Sequence, residues 1–245
     1  MFFDPIYWII IGVSGLLSLL ASLYVKSAFR KGAEVPIQSG LTGAEVARRI
    51  LRDQDIVDVE VHEHQGFLSD HYNPMAKTLN LSPDVYNGRT AAAAGVAAHE
   101  VGHALQHAQG DMTMWARTIL VYPAMFGSML GPYVVMGGIM LGSAHDVAKG
   151  QHGAGYWVAL AGVMLFGIAT ACSVFIVFNE FNASARARGL LVKLGVTRAG
   201  EEDETVARVL NAAGLTYLAA AVGSLLNLLY WAWQAGLLGG GRREE

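Results

Sequence analysis

Residues 99–103 read His-Glu-Val-Gly-His, and the run before them, Ala91-Ala92-Ala93-Ala94-Gly95-Val96-Ala97-Ala98, is small and apolar. Asn87-Gly88 marks a turn, and Thr90 is placed to cap a helix that carries both stretches. On such a helix two histidines four apart lie one turn from each other on one face. Their imidazoles can converge on a single metal ion, and Glu100 points at a water beside it. Five residues of this pattern also occur by chance in amphipathic helices with solvated histidines. The tight apolar run leading into the motif argues instead for a buried site, and the rest of the chain has to supply its remaining parts.

Composition sets the surroundings. Of 245 residues 53% are hydrophobic and 15% charged, whereas an average soluble domain is charged at about a quarter of its positions. The apolar residues collect in long runs, so the chain reads as a membrane protein. A net charge of −3 leaves no basic footprint for nucleic acid. The single cysteine, Cys172, lies inside an apolar run and reads as a small core residue. The opening Met1-Phe2-Phe3-Asp4-Pro5 has no basic stretch, and no small-residue cleavage site follows, so the first apolar run is expected to be a retained anchor.

Four segments can cross a bilayer, which takes about 20 apolar residues. They are residues 6–25, 116–144, 156–178 and 215–238, the second bent by Pro123 and Pro132, the last flanked by Tyr230, Trp231 and Trp233. The second and third are joined by a short polar stretch and form a hairpin. Polar regions 26–115 and 179–213 are expected to build one catalytic region, within a single domain spanning 1–245. Lys26, Arg30, Lys31, Arg186, Arg188, Lys193, Arg198 and Arg208 fall in these regions, against Lys149, Arg242 and Arg243 on the other side. The positive-inside rule places both polar regions in the cytoplasm.

Within 26–115, Thr42-Gly43-Ala44-Glu45 is a capping box opening a helix. Ile56 to Val61 alternates apolar and acidic residues as a half-buried strand does, and Lys77 to Leu81 is a second strand ending at the helix start Ser82-Pro83. The order helix, strand, strand, metal helix is a compact α+β layout. Thr78 to Leu81 is either an ordinary structural strand or the edge that receives a substrate as an added strand.

A catalytic zinc takes three protein ligands and keeps one open position. A third histidine six residues beyond His103 is ruled out because Gln109 stands there, with Gln106 where a glycine would be needed. His107 lies about 12 Å along the helix axis from His99 and cannot close on the same ion, so it reads as a neighbour of the site or a surface residue. Glu180, wedged between Phe178 and Phe181 where the third span ends, returns to the side of the motif helix. Its apolar surroundings would make it costly without a cation. Ser184, one turn on, can hydrogen-bond a ligand histidine. His71, Tyr72 and Arg186 are candidates for stabilising an oxyanion.

The stretches Ser39 to Leu51 (SGLTGAEVARRIL), Leu68 to Pro74 (LSDHYNP), Gly95 to Gln106 (GVAAHEVGHALQ) and Glu180 to Arg186 (EFNASAR) resemble the YugP-like family of membrane-bound neutral zinc metallopeptidases. The resemblance extends over nearly the whole chain, and more distantly to HtpX-type and CAAX prenyl proteases. It implies Zn²⁺-dependent proteolysis of protein or peptide substrates, with His99, His103 and Glu180 as ligands and Glu100 as base. Asn182 stands where the family pattern has aspartate and Ala185 where it has arginine. Ser184 stands where the HtpX-type proteins have aspartate, which implies a weaker partner for a ligand histidine here.

The fold expected is therefore an α-helical integral membrane protein with about four transmembrane helices and a small α+β, zincin-like catalytic region at the membrane surface. The function expected is a zinc-dependent membrane-bound endopeptidase. A site-2-type intramembrane protease is the nearest alternative, disfavoured because no Asp-Gly pair occurs and a polar region precedes the motif. A metal-binding or transport protein using His62, His64, His71, His107, His145 and His152 is the other. Those histidines lie outside the apolar runs, where a transport path would want ligands at mid-membrane depth.

Overall fold

The computed structural model describes residues 4–238; Met1 to Phe3, Arg242 and Arg243 lie outside them. Among the described residues, four helices are long and apolar enough to cross a membrane: Pro5–Ala33 (α1), Tyr122–Met140 within α5 (Met112–Met140), Ala154–Lys193 (α7) and Glu201–Gln234 (α8). These agree with the four expected spans, but three of the helices run on past them. At about 1.5 Å per residue, the 40 residues of α7 measure about 60 Å, twice a hydrocarbon core of about 30 Å. Its polar C-terminal part therefore continues as helix beyond the membrane, with no break at Phe178. The stretch from Asn179 on carries no Gly or Pro until Gly189, and nothing stops the helix until Gly195, which takes φ 61° so that the Val196 amide can bond the Leu191 carbonyl.

The chain divides into two compact units, and α1, α5, α7 and α8 contribute to both. The first contains α1 up to Leu19, Arg117–Val177 and the chain from Tyr217 on. Within it α5 and α7 pack backbone to backbone: a β-carbon on Gly138 would meet Ala159, and one on Gly162 would meet Val135. Without a hydrophobic force between helices in lipid, such close approach supplies the packing. The short helix α6 (Ser143–Ala148) lies in the connection between α5 and α7. The two polar residues of the last span are satisfied within this unit. Asn227 donates to the Gly223 carbonyl (2.8 Å), and Gln234 bonds the Tyr230 hydroxyl (2.8 Å) and the Asp4 carboxylate.

The second unit, Leu20–Ala116 and Phe178–Thr216, lies close to the two polar regions expected to build the catalytic part. Helix α2 (Gly43–Asp53) opens with the Thr42 capping box: the Thr42 hydroxyl accepts the Glu45 amide at 3.1 Å, and the Glu45 carboxylate accepts the Thr42 amide at 2.7 Å. Such a cap contributes about 1 kcal/mol. The strand expected at Ile56 is displaced. Asp55 (φ 54°) and the bond from the Ile56 amide to the Leu51 carbonyl (2.9 Å) close α2 in a Schellman turn, so β1 forms only at Glu60–Glu63.

The sheet has three strands in the order β1-β3-β2, where β2 is His71–Asn73 and β3 is Thr78–Leu81. β1 runs parallel and β2 antiparallel to β3. Thr78 to Leu81 is thus the central strand. Both of its edges are paired, so it cannot receive an added strand, and the two free edges among the described residues belong to β1 and β2. Leu79 and Leu81 are fully buried, each stabilising the unit by about 1.5–3 kcal/mol. His71 and Tyr72, the oxyanion candidates, lie in the edge strand β2. After the short helix α3 (Pro83–Tyr86), Thr90 caps α4 (Ala91–Ala108) through the Ala93 amide at 3.3 Å. The alanine run of α4 is buried in the core of this unit, beside Val46, Ile50, Leu79 and Val85.

Candidate metal centre

His99, Glu100 and His103 lie in the middle of α4, and all three are buried. The two imidazole rings stand one turn apart with centroids 4.7 Å from each other. Glu180 comes from α7, 81 residues from His99, and is 2% exposed; that figure matters, because a carboxylate this buried needs a cation or strong donors. Its Oε2 lies 3.2 Å from Nε2 of His99 and its Oε1 3.7 Å from Nε2 of His103. Among the described residues, His99, His103 and Glu180 are the group of three whose ligand atoms lie within 4.8 Å of one another and could hold a metal ion.

The remote nitrogen of each histidine has a partner. Nδ1 of His99 is 3.1 Å from the hydroxyl of Ser184, the residue expected to bond one of the two histidines, and Nδ1 of His103 is 3.0 Å from the Gln106 carboxamide oxygen. An imidazole that donates from Nδ1 keeps its Nε2 lone pair for a cation. Two such nitrogens and one carboxylate form the donor set of a catalytic zinc with an open fourth position. The residues present therefore fit the metal.

Glu100 stands apart from the group of three ligands. Its Oε2 accepts the backbone amide of Tyr72 at 2.9 Å, so the edge strand β2 holds the carboxylate. The Tyr72 hydroxyl meets Nδ1 of His107 at 2.8 Å, and burial pushes its phenol up to about 12. His107 is thus a neighbour of β2 and not a ligand. His71 bonds the Ser69 carbonyl through Nδ1 (2.8 Å) and Asn80 through Nε2 (3.2 Å). Asp70, just before it, accepts the Ser82 amide (2.7 Å) and hydroxyl, and burial raises its carboxyl above the usual range.

Arg186 sits elsewhere. Its Nε donates to Asn182 (2.7 Å), its two terminal nitrogens to Gln109 and Asp111 (2.6 Å each). Sequence reasoning missed Gln106, Asn179 and Asn182, which lie behind His103. Gln106 was discoverable: three residues after His103, it shares that helix face. The amide of Tyr72 was not, since no side-chain pattern encodes a backbone donor. The remaining histidines, including His62, His64, His145 and His152, enter no such cluster among the described residues.

The family model described as "Putative neutral zinc metallopeptidase" matches residues 7–236 of this chain. The "Putative membrane protease YugP" of Bacillus subtilis (strain 168) is 41% identical over 213 residues, covering 87% of this chain and 89% of that protein. No solved structure matches. A family match across almost the whole length and a buried His-His-Glu group suited to the metal lead to one conclusion: the chain belongs to the neutral zinc metallopeptidases, with zinc as its metal and four helices to carry it in a membrane.

Proposed function

We propose that this protein is a zinc-dependent endopeptidase that hydrolyses peptide bonds of protein substrates at the membrane surface, with His99, His103 and Glu180 as the metal ligands. The observation that carries this is the convergence of two Nε2 atoms and one buried carboxylate within 4.8 Å, with Glu100 buried beside them. Zinc held there supplies Lewis-acid polarisation of the scissile carbonyl and acidifies water to a pKa of about 7.

The chain's own groups do the rest. Glu100 takes the proton of the attacking water on one carboxylate oxygen while the Tyr72 amide holds the other, and it hands that proton to the leaving amine. Burial of the site removes competing water and strengthens these charge interactions. The Tyr72 phenol, protonated up to about pH 12, is the donor that β2 offers on its buried face, whereas His71 points from the exposed face and spends its two nitrogens on the Ser69 carbonyl and Asn80. Arg186 already spends its three nitrogens on Asn182, Gln109 and Asp111.

The basic residues of the two polar regions support a cytoplasmic active site. The test of the mechanism is Glu100→Gln in purified full-length protein. It should keep one zinc per chain and lose cleavage by about 10²–10⁴-fold, the range of general acid–base contributions. Full activity in that variant overturns the mechanism.

A further inference from the structure

Gln106 is completely buried, and its carboxamide touches three other polar side chains. Its oxygen lies 3.0 Å from Nδ1 of His103 and receives Nδ2 of Asn179 at 3.2 Å. Its nitrogen donates to Oδ1 of Asn182 at 3.0 Å. A carboxamide can in principle be turned end for end, and an imidazole can carry its proton on either nitrogen. Here the ambiguity is removed from outside. Arg186 has only donors, and its Nε points at the same Oδ1 of Asn182 at 2.7 Å. That atom must therefore be the oxygen of Asn182.

An oxygen facing Gln106 accepts only from its NH₂ end, so the oxygen of Gln106 faces His103. The proton of His103 then sits on Nδ1, and the lone pair of Nε2 faces Glu180. Arg186 is itself anchored by Asp111 and Gln109. Asp111 is brought into place by the turn that ends α4, where Gly110 takes φ 64° and the Asp111 amide bonds the Gln106 carbonyl at 2.8 Å.

We propose that Gln106 is a positioning residue that sets the tautomer and aim of His103, and that Arg186 fixes Gln106 through Asn182. The proposal rests on His103 being a zinc ligand. It assigns Arg186 to the order of the metal site at a distance from the substrate. Loss of a partner behind a metal-bound histidine costs about 10–100-fold in metal affinity.

The experiment measures zinc affinity of full-length protein in detergent by competition with a chromophoric chelator, alongside the melting temperature of the zinc-free protein. Wild type should bind one zinc and His103→Ala should lose it; failure of either overturns the ligand assignment, and the proposal with it. Given that result, Gln106→Ala should bind about 10–100-fold more weakly, and Gln106→Glu, which keeps the acceptor, no more weakly than wild type. Asn182→Leu, which frees the carboxamide to turn, should also weaken binding, with the melting temperature of the zinc-free protein unchanged. Wild-type affinity in Gln106→Ala, or a loss in Gln106→Glu equal to that of alanine, overturns the role of Gln106 while leaving the ligands standing. Should Gln106→Ala fail to fold, unchanged affinity in Asn182→Leu overturns the relay.

Discussion

Gly102 lies against the backbone of Ala183: a β-carbon on Gly102 would stand 2.8 Å from the Ala183 carbonyl oxygen. Gly102 immediately precedes His103, and Ala183 lies between Glu180 and Ser184. A close backbone contact between α4 and α7 therefore falls beside the ligands, and the absence of a side chain at Gly102 allows it.

Gly102→Ala should push α7 away from α4. Inserting a methyl group into such a contact costs about 1–3 kcal/mol. The expected outcome is a lower melting temperature together with weaker zinc binding, because the displaced element carries a ligand. Chelator competition and thermal unfolding of the same sample check both; unchanged zinc affinity would contradict the link between this contact and the site.

Ser184→Ala removes the acceptor 3.1 Å from Nδ1 of His99. Zinc affinity should fall by about 10–100-fold, whereas Ser184→Asp, offering a charged acceptor to the same nitrogen, should raise it. Isothermal titration with zinc-buffered solutions distinguishes the two directions.

Asp70 predicts a pH dependence. Burial, countered only in part by the Ser82 amide and hydroxyl, holds its folded pKa above the ordinary value. The ionised form is thus a cost that folding bears. Stability linked to this group is fully present below the unfolded pKa of about 3.9 and is lost as pH rises through the raised folded value. Asp70→Asn cannot ionise, so its stability relative to wild type should improve from pH 4 to pH 7. Melting temperatures of both zinc-free proteins at the two pH values test the sign, and a relative advantage larger at pH 4 refutes it.

Topology is tested by a reporter enzyme that is active only outside the membrane, fused after residue 60. It should stay silent, because the positive-inside rule puts the region that follows Lys26, Arg30 and Lys31 on the cytoplasmic side. Strong reporter activity would reverse the orientation.

Much of this protein is determined by sequence alone, because the forces concerned are local or compositional. Long apolar runs meet a bilayer wherever the chain goes, so four spans were legible. Thr42 and Thr90 cap helices through bonds to residues three positions away, and the four-residue spacing of His99 and His103 fixes their shared face. Glu180 was legible from the cost of an unpaired carboxylate among apolar neighbours.

Other features were decided only by tertiary structure. Strands of three or four residues carry too little alternation to state their order, so β3 proved central and β2 the edge beside Glu100. The end of α7 could not be read from hydropathy, because leaving the membrane ends an apolar run without ending a helix. The setting of His103 depends on Gln106 meeting Asn179 and Asn182, residues 73 and 76 positions away, and the hold on Glu100 is a main-chain amide. Contacts made across such distances, and by atoms common to every residue, exist only once the core has packed.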